Sequence, residues 1–210
     1  MNPDCHLQTL NSQLLGLAVS CLTKAYADNQ TYQLLLHAGR PGYRSRLRAS
    51  FRHLLQLHLD SQSPVLLCRN AQQELVGVAS MSSLFLRLEM QHHWLWRIKM
   101  MLTAGPMATQ NFIQYFKIVA SHLPKQQCRV ITSLGVLPEH RAQGYGLALL
   151  QGLEQYADQD HDNAGLFVDT GPGRYLEFYQ QQGFEPYAKL HFAELSPVIL
   201  KRPSILEAKA

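Results

Sequence analysis

Charged residues are scarce in this sequence. Asp, Glu, Lys and Arg make up 16% of its 210 residues, whereas an average soluble protein has roughly 25%. The net charge is only +4, and the basic cluster of Arg44, Arg48 and Arg52 is typical of one solvated helical face. Dedicated nucleic-acid-binding domains usually carry a concentrated basic stripe, so the composition gives no reason to expect nucleic acid as a partner.

Cysteine is also rare, and its four positions are far apart. They are Cys5, Cys21, Cys68 and Cys128. No C-x-x-C pair is present, which excludes the usual zinc and dithiol motifs, and disulfide-rich secreted scaffolds are shorter and denser in cysteine. We therefore expect four reduced thiols in a cytoplasmic protein.

Long apolar runs are missing as well. The longest, residues 14–22, is interrupted by Ser20 and is about half the roughly 20 residues that span a bilayer. The first positive charge is Lys24, so the N-terminus lacks the basic region of a signal peptide. We expect a soluble protein without a membrane partner. Its hydrophobic fraction of 46% is sufficient for a packed core and excludes wholesale disorder.

Helix and strand periods are mixed along the chain, which predicts one α/β or α+β domain over residues 1–210. Apolar stripes predict helices from residues 14 and 47, and a hairpin with a five-residue loop joins strands at 64–68 and 75–79. Residues 84–123 fit two helices joined at Gly105. Further predicted elements are strands at 129–136, 165–170, 188–192 and 198–200, a helix with residues 147–156 in its body, a helix at 174–182, and a tail at 203–210.

The chemistry is concentrated where the strand at 129–136 turns into a helix. Gly144 and Gly146 lie in that turn, and glycine allows a ligand to approach the backbone closely. The first N–H groups of a helix have no partner within it and lie at the positive end of its dipole, so this turn predicts a phosphate site. No Lys follows Gly146, and Leu149 stands where a dinucleotide fingerprint has its third glycine. Both common phosphate loops are therefore excluded.

Two motifs carry a resemblance to a known family. Residues 141–146 read Arg-Ala-Gln-Gly-Tyr-Gly, an R-x-x-G-x-G pattern after Val-Leu-Pro, and residues 178–184 read Phe-Tyr-Gln-Gln-Gln-Gly-Phe. In this order, with a strand between them, they resemble the signatures of the GCN5-related N-acetyltransferase family. Residues 128–187 carry most of the resemblance.

The resemblance implies a fold. It is a central mixed, mostly antiparallel sheet of about six to seven strands, splayed between the fourth and fifth strands and flanked by helices. Residues 84–127 would form a helical insertion between the third and fourth strands.

The resemblance also implies acetyl-coenzyme A as co-substrate, an amine as acceptor and no metal. The strand around Leu134 would bind the pantetheine arm through its backbone, and the Leu134 N–H would polarise the thioester carbonyl. The N–H groups of the following turn would hold the pyrophosphate, with Arg141 adding positive charge. The cofactor-binding residues implied in this way are Leu134, Gly135, Val136, Arg141, Ala142, Gln143, Gly144, Tyr145, Gly146 and Leu147.

For catalysis, the resemblance implies that Tyr179 is the general acid that protonates the leaving thiolate. A phenol is a suitable acid for this step. Asp169 matches an acidic position that is common in the family and is the candidate base. Glu89, His92 and His93 are alternative bases, and a mechanism without a dedicated base remains open.

A pattern of acidic residues that resembles a metal site has a simpler explanation. Asp158, Asp160, Asp162 and Asp169 match four positions of a calcium loop, but the required central glycine is replaced by Asn163; a solvated loop is the better interpretation.

At Tyr175 the family often has an asparagine that contacts the cofactor, so that contact is not expected here. Arg174 is a further candidate for a phosphate contact.

The acceptor and the role of the insertion stay open. Aromatic residues of the insertion (Trp94, Trp96, Phe112 and Phe116) indicate an apolar lining of an acceptor pocket, but the same helices could form a docking surface or the seam of a homodimer. A protein, a polyamine, an antibiotic and an amino acid all remain as acceptors. The alternative function is a non-catalytic acyl-CoA-binding regulatory or interaction module on the same fold.

Overall fold

Seven strands and seven helices are found in the residues that this computed structural model describes, which are 4–83, 94–125, 128–159, 164–171 and 173–203. The strands are β1 (Cys5–Thr9), β2 (Val65–Asn70), β3 (Leu75–Ser83), β4 (Arg129–Val136), β5 (Leu166–Thr170), β6 (Glu185–Lys189) and β7 (Val198–Arg202). The helices are α1 (Leu15–Ala25), α2 (Gln30–Leu35), α3 (Tyr43–Asp60), α4 (Trp94–Thr103), α5 (Pro106–His122), α6 (Tyr145–Asp158) and α7 (Arg174–Gln181).

The strands form one mixed sheet in the order β1-β2-β3-β4-β5-β7-β6. Every neighbouring pair is antiparallel except β4 and β5, which are parallel. Pairing between these two strands stops early, because only residues 129–131 of β4 have partners in β5. From residue 132 onward the two strands diverge, which confirms the predicted mostly antiparallel sheet with a splay between its fourth and fifth strands.

A β-bulge lies at the point of divergence. On β3, Ser80 pairs with Ser133 and Met81 pairs with Ile131, so Thr132 is an extra residue on β4. Bulges bend a strand and increase its local twist. The hydroxyl of Thr132 lies 2.7 Å from Ser80 Oγ and 2.9 Å from His58 Nε2, and these partly buried hydrogen bonds hold the bulge in place.

The helices cover both faces of the sheet. Helices α1 to α5 pack over one face, where the core includes Phe51 and Phe112, and α6 and α7 pack over the other, where it includes Leu150 and Phe184. Neighbouring strand residues such as Leu66 and Leu67 belong to opposite cores, because successive side chains of a strand point to opposite faces.

Most predicted elements agree with the structure. The β2–β3 hairpin is confirmed, although its loop has the four residues 71–74 and not five. The bounds of β4 and the two helices of the insertion are also confirmed. Gly105 separates those helices with φ of 92°, and Pro106 begins the second. Residues 84–93, at the start of the predicted insertion, and 204–210, in the predicted tail, lie outside the described residues.

The structure differs from the sequence-based prediction at three elements. Strand β1 was not predicted, because most of its side chains are exposed and show no apolar alternation. Helix α2 was missed because it has only six residues, although its N-cap Asn29 accepts a hydrogen bond from the Tyr32 N–H and is a recognisable start signal. The strand predicted at 188–192 is wrong in its bounds, since β6 runs from Glu185 to Lys189.

All four cysteines are free thiols in the structure. The described helices include none with both the length and the apolar character needed to span a lipid bilayer.

Gly135 determines how closely α1 can approach β4. A Cβ atom at this position would lie 2.9 Å from the Cβ of Ala25 and 3.0 Å from side-chain atoms of Leu22 and Tyr26. Contacts this short cannot be accommodated without moving the helix. The absence of a side chain at Gly135 therefore allows the end of α1 to pack directly on the strand.

We predict that Gly135→Ala lowers the free energy of unfolding by about 1–3 kcal/mol, the usual cost of overpacking a core. Gly16→Ala is the matched control: Gly16 lies in α1 with no atom within 4 Å of its added Cβ, and alanine favours a helix. Urea unfolding of the two variants measures the difference, and equal midpoints would contradict this account of Gly135.

Candidate active site

A cavity of about 500 Å³ opens where β4 and β5 diverge. Its walls come from the α1–α2 region, α5, the second half of β4, the turn before α6, the end of β5, and α7. Both predicted catalytic residues, Tyr179 and Asp169, line it. Of the predicted cofactor-binding residues, Gln143 and Tyr145 do not line it; those that do are Leu134, Gly135, Val136, Arg141, Ala142, Gly144, Gly146 and Leu147.

The turn before α6 presents a series of backbone N–H groups. Ala142 and Gly144 have left-handed backbone conformations, with φ of 59° and 87°, and Gly144 caps α6 without any side-chain bond. Within the part of the chain that the structure describes, no acceptor is found for the N–H groups of residues 143–147. Such a concave set of N–H groups at a helix N-terminus is an anion site.

The side chain of Arg141, expected to add positive charge to the phosphate site, donates hydrogen bonds to two backbone carbonyls. Its Nη2 donates to the carbonyl of Ala25 at 2.8 Å, and its Nε donates to the carbonyl of Val136 at 3.3 Å. The guanidinium therefore ties the end of α1 to the end of β4, next to the turn. A contact between Arg141 and phosphate stays a prediction.

The polar groups of Leu134 face the opening between the strands, and a tyrosine engages both of them. The Leu134 N–H donates to the Tyr26 hydroxyl at 3.0 Å, and that hydroxyl donates to the Leu134 carbonyl at 3.1 Å. Burial raises the pKa of Tyr26 above its usual range, so the neutral phenol is maintained. The N–H expected to polarise a thioester is thus hydrogen-bonded to Tyr26, a residue that no sequence signal indicated.

Tyr179 lies deep in the cavity wall. Only 6% of its surface is exposed, and its ring contacts Phe178 and Phe184. Burial raises the pKa of the Tyr179 hydroxyl well above its usual value, and the nearby ionisable groups of Tyr26 and Asp169 raise it further. The hydroxyl therefore keeps its proton at physiological pH and is available as a donor.

Asp169 is positioned by a residue of the insertion. The Tyr115 hydroxyl of α5 donates to Asp169 Oδ2 at 2.8 Å. The Asp169 carboxylate also contributes to the raised pKa of both Tyr26 and Tyr179, so it acts electrostatically on both phenols. Sequence reasoning missed Tyr115, since its only distinguishing feature is this distant contact.

The structure separates the aromatic residues predicted to line an acceptor pocket. Phe112 and Phe116 line the cavity, but Trp94 is 69% exposed and Trp96 is buried against Phe116. The expectation for the two tryptophans was therefore wrong. Tyr175 lines the cavity at its exposed rim.

Several residues that the sequence offered as candidates lie outside the part of the chain that the structure describes. Glu89, His92 and His93 lie outside the described residues, as do Asp160 and Asp162 of the calcium-like pattern and the side chain of Arg174. Among the residues that are described, no group of His, Cys, Asp or Glu could hold a metal ion.

Comparison with known proteins identifies a family. The model of the acetyltransferase (GNAT) family matches residues 29–184. Similar solved structures include one described as histone acetyltransferase HPA2 and related acetyltransferase from Corynebacterium glutamicum, with 17% identity, a TM-score of 0.70, and coverage of 96% of this chain and 97% of that one.

Two further structures have the same fold at lower identity. Arabidopsis thaliana NAA60 in complex with acetyl-CoA is 11% identical, with a TM-score of 0.57 and coverage of 95% of this chain and 98% of that one. A mosquito arylalkylamine N-acetyltransferase like 5b is 12% identical, with a TM-score of 0.61 and coverage of 94% and 100%. At these identities the similarity concerns the fold alone.

The hydrogen bonds from Arg141 to the carbonyls of Ala25 and Val136 should stabilise the protein even without a ligand. Arg141→Lys keeps the charge but has all its donors on one nitrogen, whereas Nε and Nη2 of Arg141 reach two separate carbonyls. We therefore expect the free energy of unfolding to fall by about 1–2 kcal/mol. Arg44→Lys on the exposed face of α3 is the control and should change it by less than about 0.5 kcal/mol. Urea unfolding of the ligand-free protein measures both, and an unchanged midpoint for Arg141→Lys would show that these hydrogen bonds contribute nothing.

Proposed function

The chain belongs to the GNAT acetyltransferase family, and we propose that it transfers the acetyl group of acetyl-coenzyme A to a primary amine of a small molecule. The observation that carries this proposal is one cavity that joins an anion-binding turn to a buried phenol and a carboxylate. We further propose a single domain over residues 1–210. A cytoplasmic location and a homodimer remain predictions from the sequence.

The residues present fit coenzyme A. The N–H groups of residues 143–147 suit a diphosphate. A Cβ added to Gly146 would be in ordinary van der Waals contact with Phe178, Val136 and Leu134, with no atom closer than 3.8 Å, so a small side chain fits at this position. The divergence of β4 from β5 leaves room for the pantetheine arm beside residues 132–136. Coenzyme A, when bound, supplies the acetyl group as an activated thioester.

Each proposed role follows from what the side chain can do. The amine nitrogen forms the new C–N bond and the C–S bond breaks. The Tyr179 hydroxyl donates its proton to the departing sulfur, and Asp169 accepts the proton that the amine loses. Donors on β4 stabilise the negative charge that develops on the carbonyl oxygen; for Leu134 to contribute, the Tyr26 hydroxyl must leave its N–H.

Direct attack by the amine is favoured over an acetylated enzyme. None of the four cysteines lines the cavity, and burial raises the pKa of the Cys21 thiol to about 12. A thiol that stays protonated is a poor nucleophile. The acetyl group therefore has no thiolate in this cavity to which it could transfer first.

The turn is tested by a pair of substitutions at Gly146. Gly146→Asp should remove the thermal stabilisation by coenzyme A, because its carboxylate would occupy and repel the phosphate position while suiting a helix N-terminus. In the parent protein, coenzyme A at 100 times its Kd should add about 2.7 kcal/mol of stability. Gly146→Ala is the control and should retain most of this effect. Thermal unfolding with and without coenzyme A measures it, and equal stabilisation of both variants would exclude this turn as the diphosphate site.

The general acid is tested by Tyr179→Phe. We expect kcat to fall by about 10²–10⁴-fold, with little change in KM for acetyl-coenzyme A. Because its pKa lies well above the usual value, Tyr179 should also cause no alkaline decline in rate below about pH 10. Free-thiol release over a pH series measures both effects.

Tyr156→Phe is the matched control for that measurement, since Tyr156 is exposed on α6 and does not line the cavity. Equal kcat values for the two variants would exclude Tyr179 as the acid. Coenzyme A binding without thiol release from any amine would instead support the non-catalytic binding module.

A further inference from the structure

One end of the cavity is walled by aromatic side chains, and it lies away from the anion-binding turn. A Cβ on Gly146 would meet Phe178 and Leu134, so these residues adjoin the turn. Leu134 binds Tyr26, whose ring centroid is 5.1 Å from that of Tyr32. Tyr32 in turn lies 5.8 Å from Phe112 on α5. This succession of contacts leads from the turn to the insertion.

We call this end the aromatic wall. It consists of cavity-lining side chains from α2 and α5, namely Tyr32, Phe112, Tyr115 and Phe116. Flat rings of this kind bind apolar and aromatic groups well, and their faces also attract cations.

Charge is unequally distributed along the cavity. Among the described residues that line it, Asp169 is the acidic one, and it joins the aromatic wall through its hydrogen bond with Tyr115. The guanidinium of Arg141 lies at the other end, where it donates to the carbonyls of Ala25 and Val136. No lysine or arginine lies among the described lining residues at the aromatic end.

This distribution selects among amines. An ammonium group is attracted by the Asp169 carboxylate and by the ring faces beside it. A second cation farther along the substrate would find no carboxylate among the described lining residues there, and the ring faces alone return less free energy than the hydration that it loses. A carboxylate beside the amine would be repelled by Asp169. Both arrangements are costly in a desolvated pocket.

On the basis of the proposed function, we infer that the acceptor is a primary amine with a single positive charge on a flat or alkyl apolar body. Its nitrogen lies at Asp169, between Tyr179 and the aromatic wall, and its carbon body packs against Phe112 and Phe116. Polyamines, amino acids and other multiply charged amines are poor acceptors.

Two matched pairs of probes test this inference. L-Phenylalanine is 2-phenylethylamine with an added carboxylate, and agmatine places a guanidinium at the far end of a short alkylamine comparable to n-pentylamine. We expect kcat/KM to be at least about tenfold higher for 2-phenylethylamine and n-pentylamine than for their charged counterparts. Equal or higher values for L-phenylalanine or agmatine would overturn the inference.

Asp169→Asn tests the origin of this selectivity. Asparagine has the same size and can still accept the hydrogen bond from Tyr115, so circular dichroism and thermal unfolding should be little changed. We expect the preference for 2-phenylethylamine over L-phenylalanine to fall by about tenfold or more. Because this variant would also lose a base, its preference is read from equilibrium binding to the coenzyme A complex by calorimetry. An unchanged preference contradicts the inference.

The same calorimetry separates this inference from the proposed function. If 2-phenylethylamine binds with the expected preference but releases no thiol from acetyl-coenzyme A, the pocket assignment holds and the transferase function fails. If multiply charged amines are acetylated instead, the transferase function holds and the pocket assignment fails. If no probe binds or reacts, the pocket assignment is wrong.

Discussion

The early end of pairing between β4 and β5 is the constraint on which the rest of the site depends. A continuous ladder would close the sheet and leave no cavity between the strands. Pairing ends after residue 131, where Thr132 is added to β4 and held by hydroxyl and imidazole partners on β3 and α3. From that point the polar groups of Leu134 face the opening rather than β5. The residues that line the opening on its other side, including Asp169 and Tyr179, come from β5 and α7. A local irregularity in one strand thus creates both the space and the polar lining of the candidate site.

The end of α1 is the second determinant of this geometry. Three separate contacts fix it to β4 and to the turn: the close packing over Gly135, the hydrogen bonds of Tyr26 with Leu134, and those of Arg141 with the carbonyls of Ala25 and Val136. These contacts involve backbone groups, so they define positions to within a hydrogen-bond length. The side of the cavity formed by β4 and the turn therefore has a wall supplied by the end of a helix that lies more than 100 residues earlier in the sequence, since Tyr26 and Leu134 are 108 residues apart.

Features that depend on contacts between residues close in sequence could be predicted, and features that depend on distant contacts could not. The turn at residues 141–146 was recognisable because strand, turn and helix are contiguous, and its glycines are needed where they stand. The β2–β3 hairpin and the two helices of the insertion are local in the same sense. Tyr26 and Tyr115 could not be found, because their partners lie 108 and 54 residues away and neither belongs to a motif. The positions of the tryptophans of α4 were predicted wrongly for the same reason. An aromatic side chain can face solvent, core or cavity, and only packing decides which of these it faces. Strand β1 has an exposed, irregular pattern that becomes ordered through pairing with β2.

The double hydrogen bond between Tyr26 and Leu134 also has an energetic consequence. A strand edge that opens on a cavity ordinarily offers unsatisfied groups, and a ligand gains by satisfying them. Here the phenol already meets both needs, so an incoming amide at Leu134 would replace one set of bonds by another of similar strength, with little net gain. The intrinsic attraction of this stretch of strand for an extended chain is thereby reduced, and most of the binding energy for a long ligand must come from its two ends. The pairing lowers the tendency of an exposed strand edge to associate with other extended segments, while it leaves the groove available to a ligand that is anchored elsewhere.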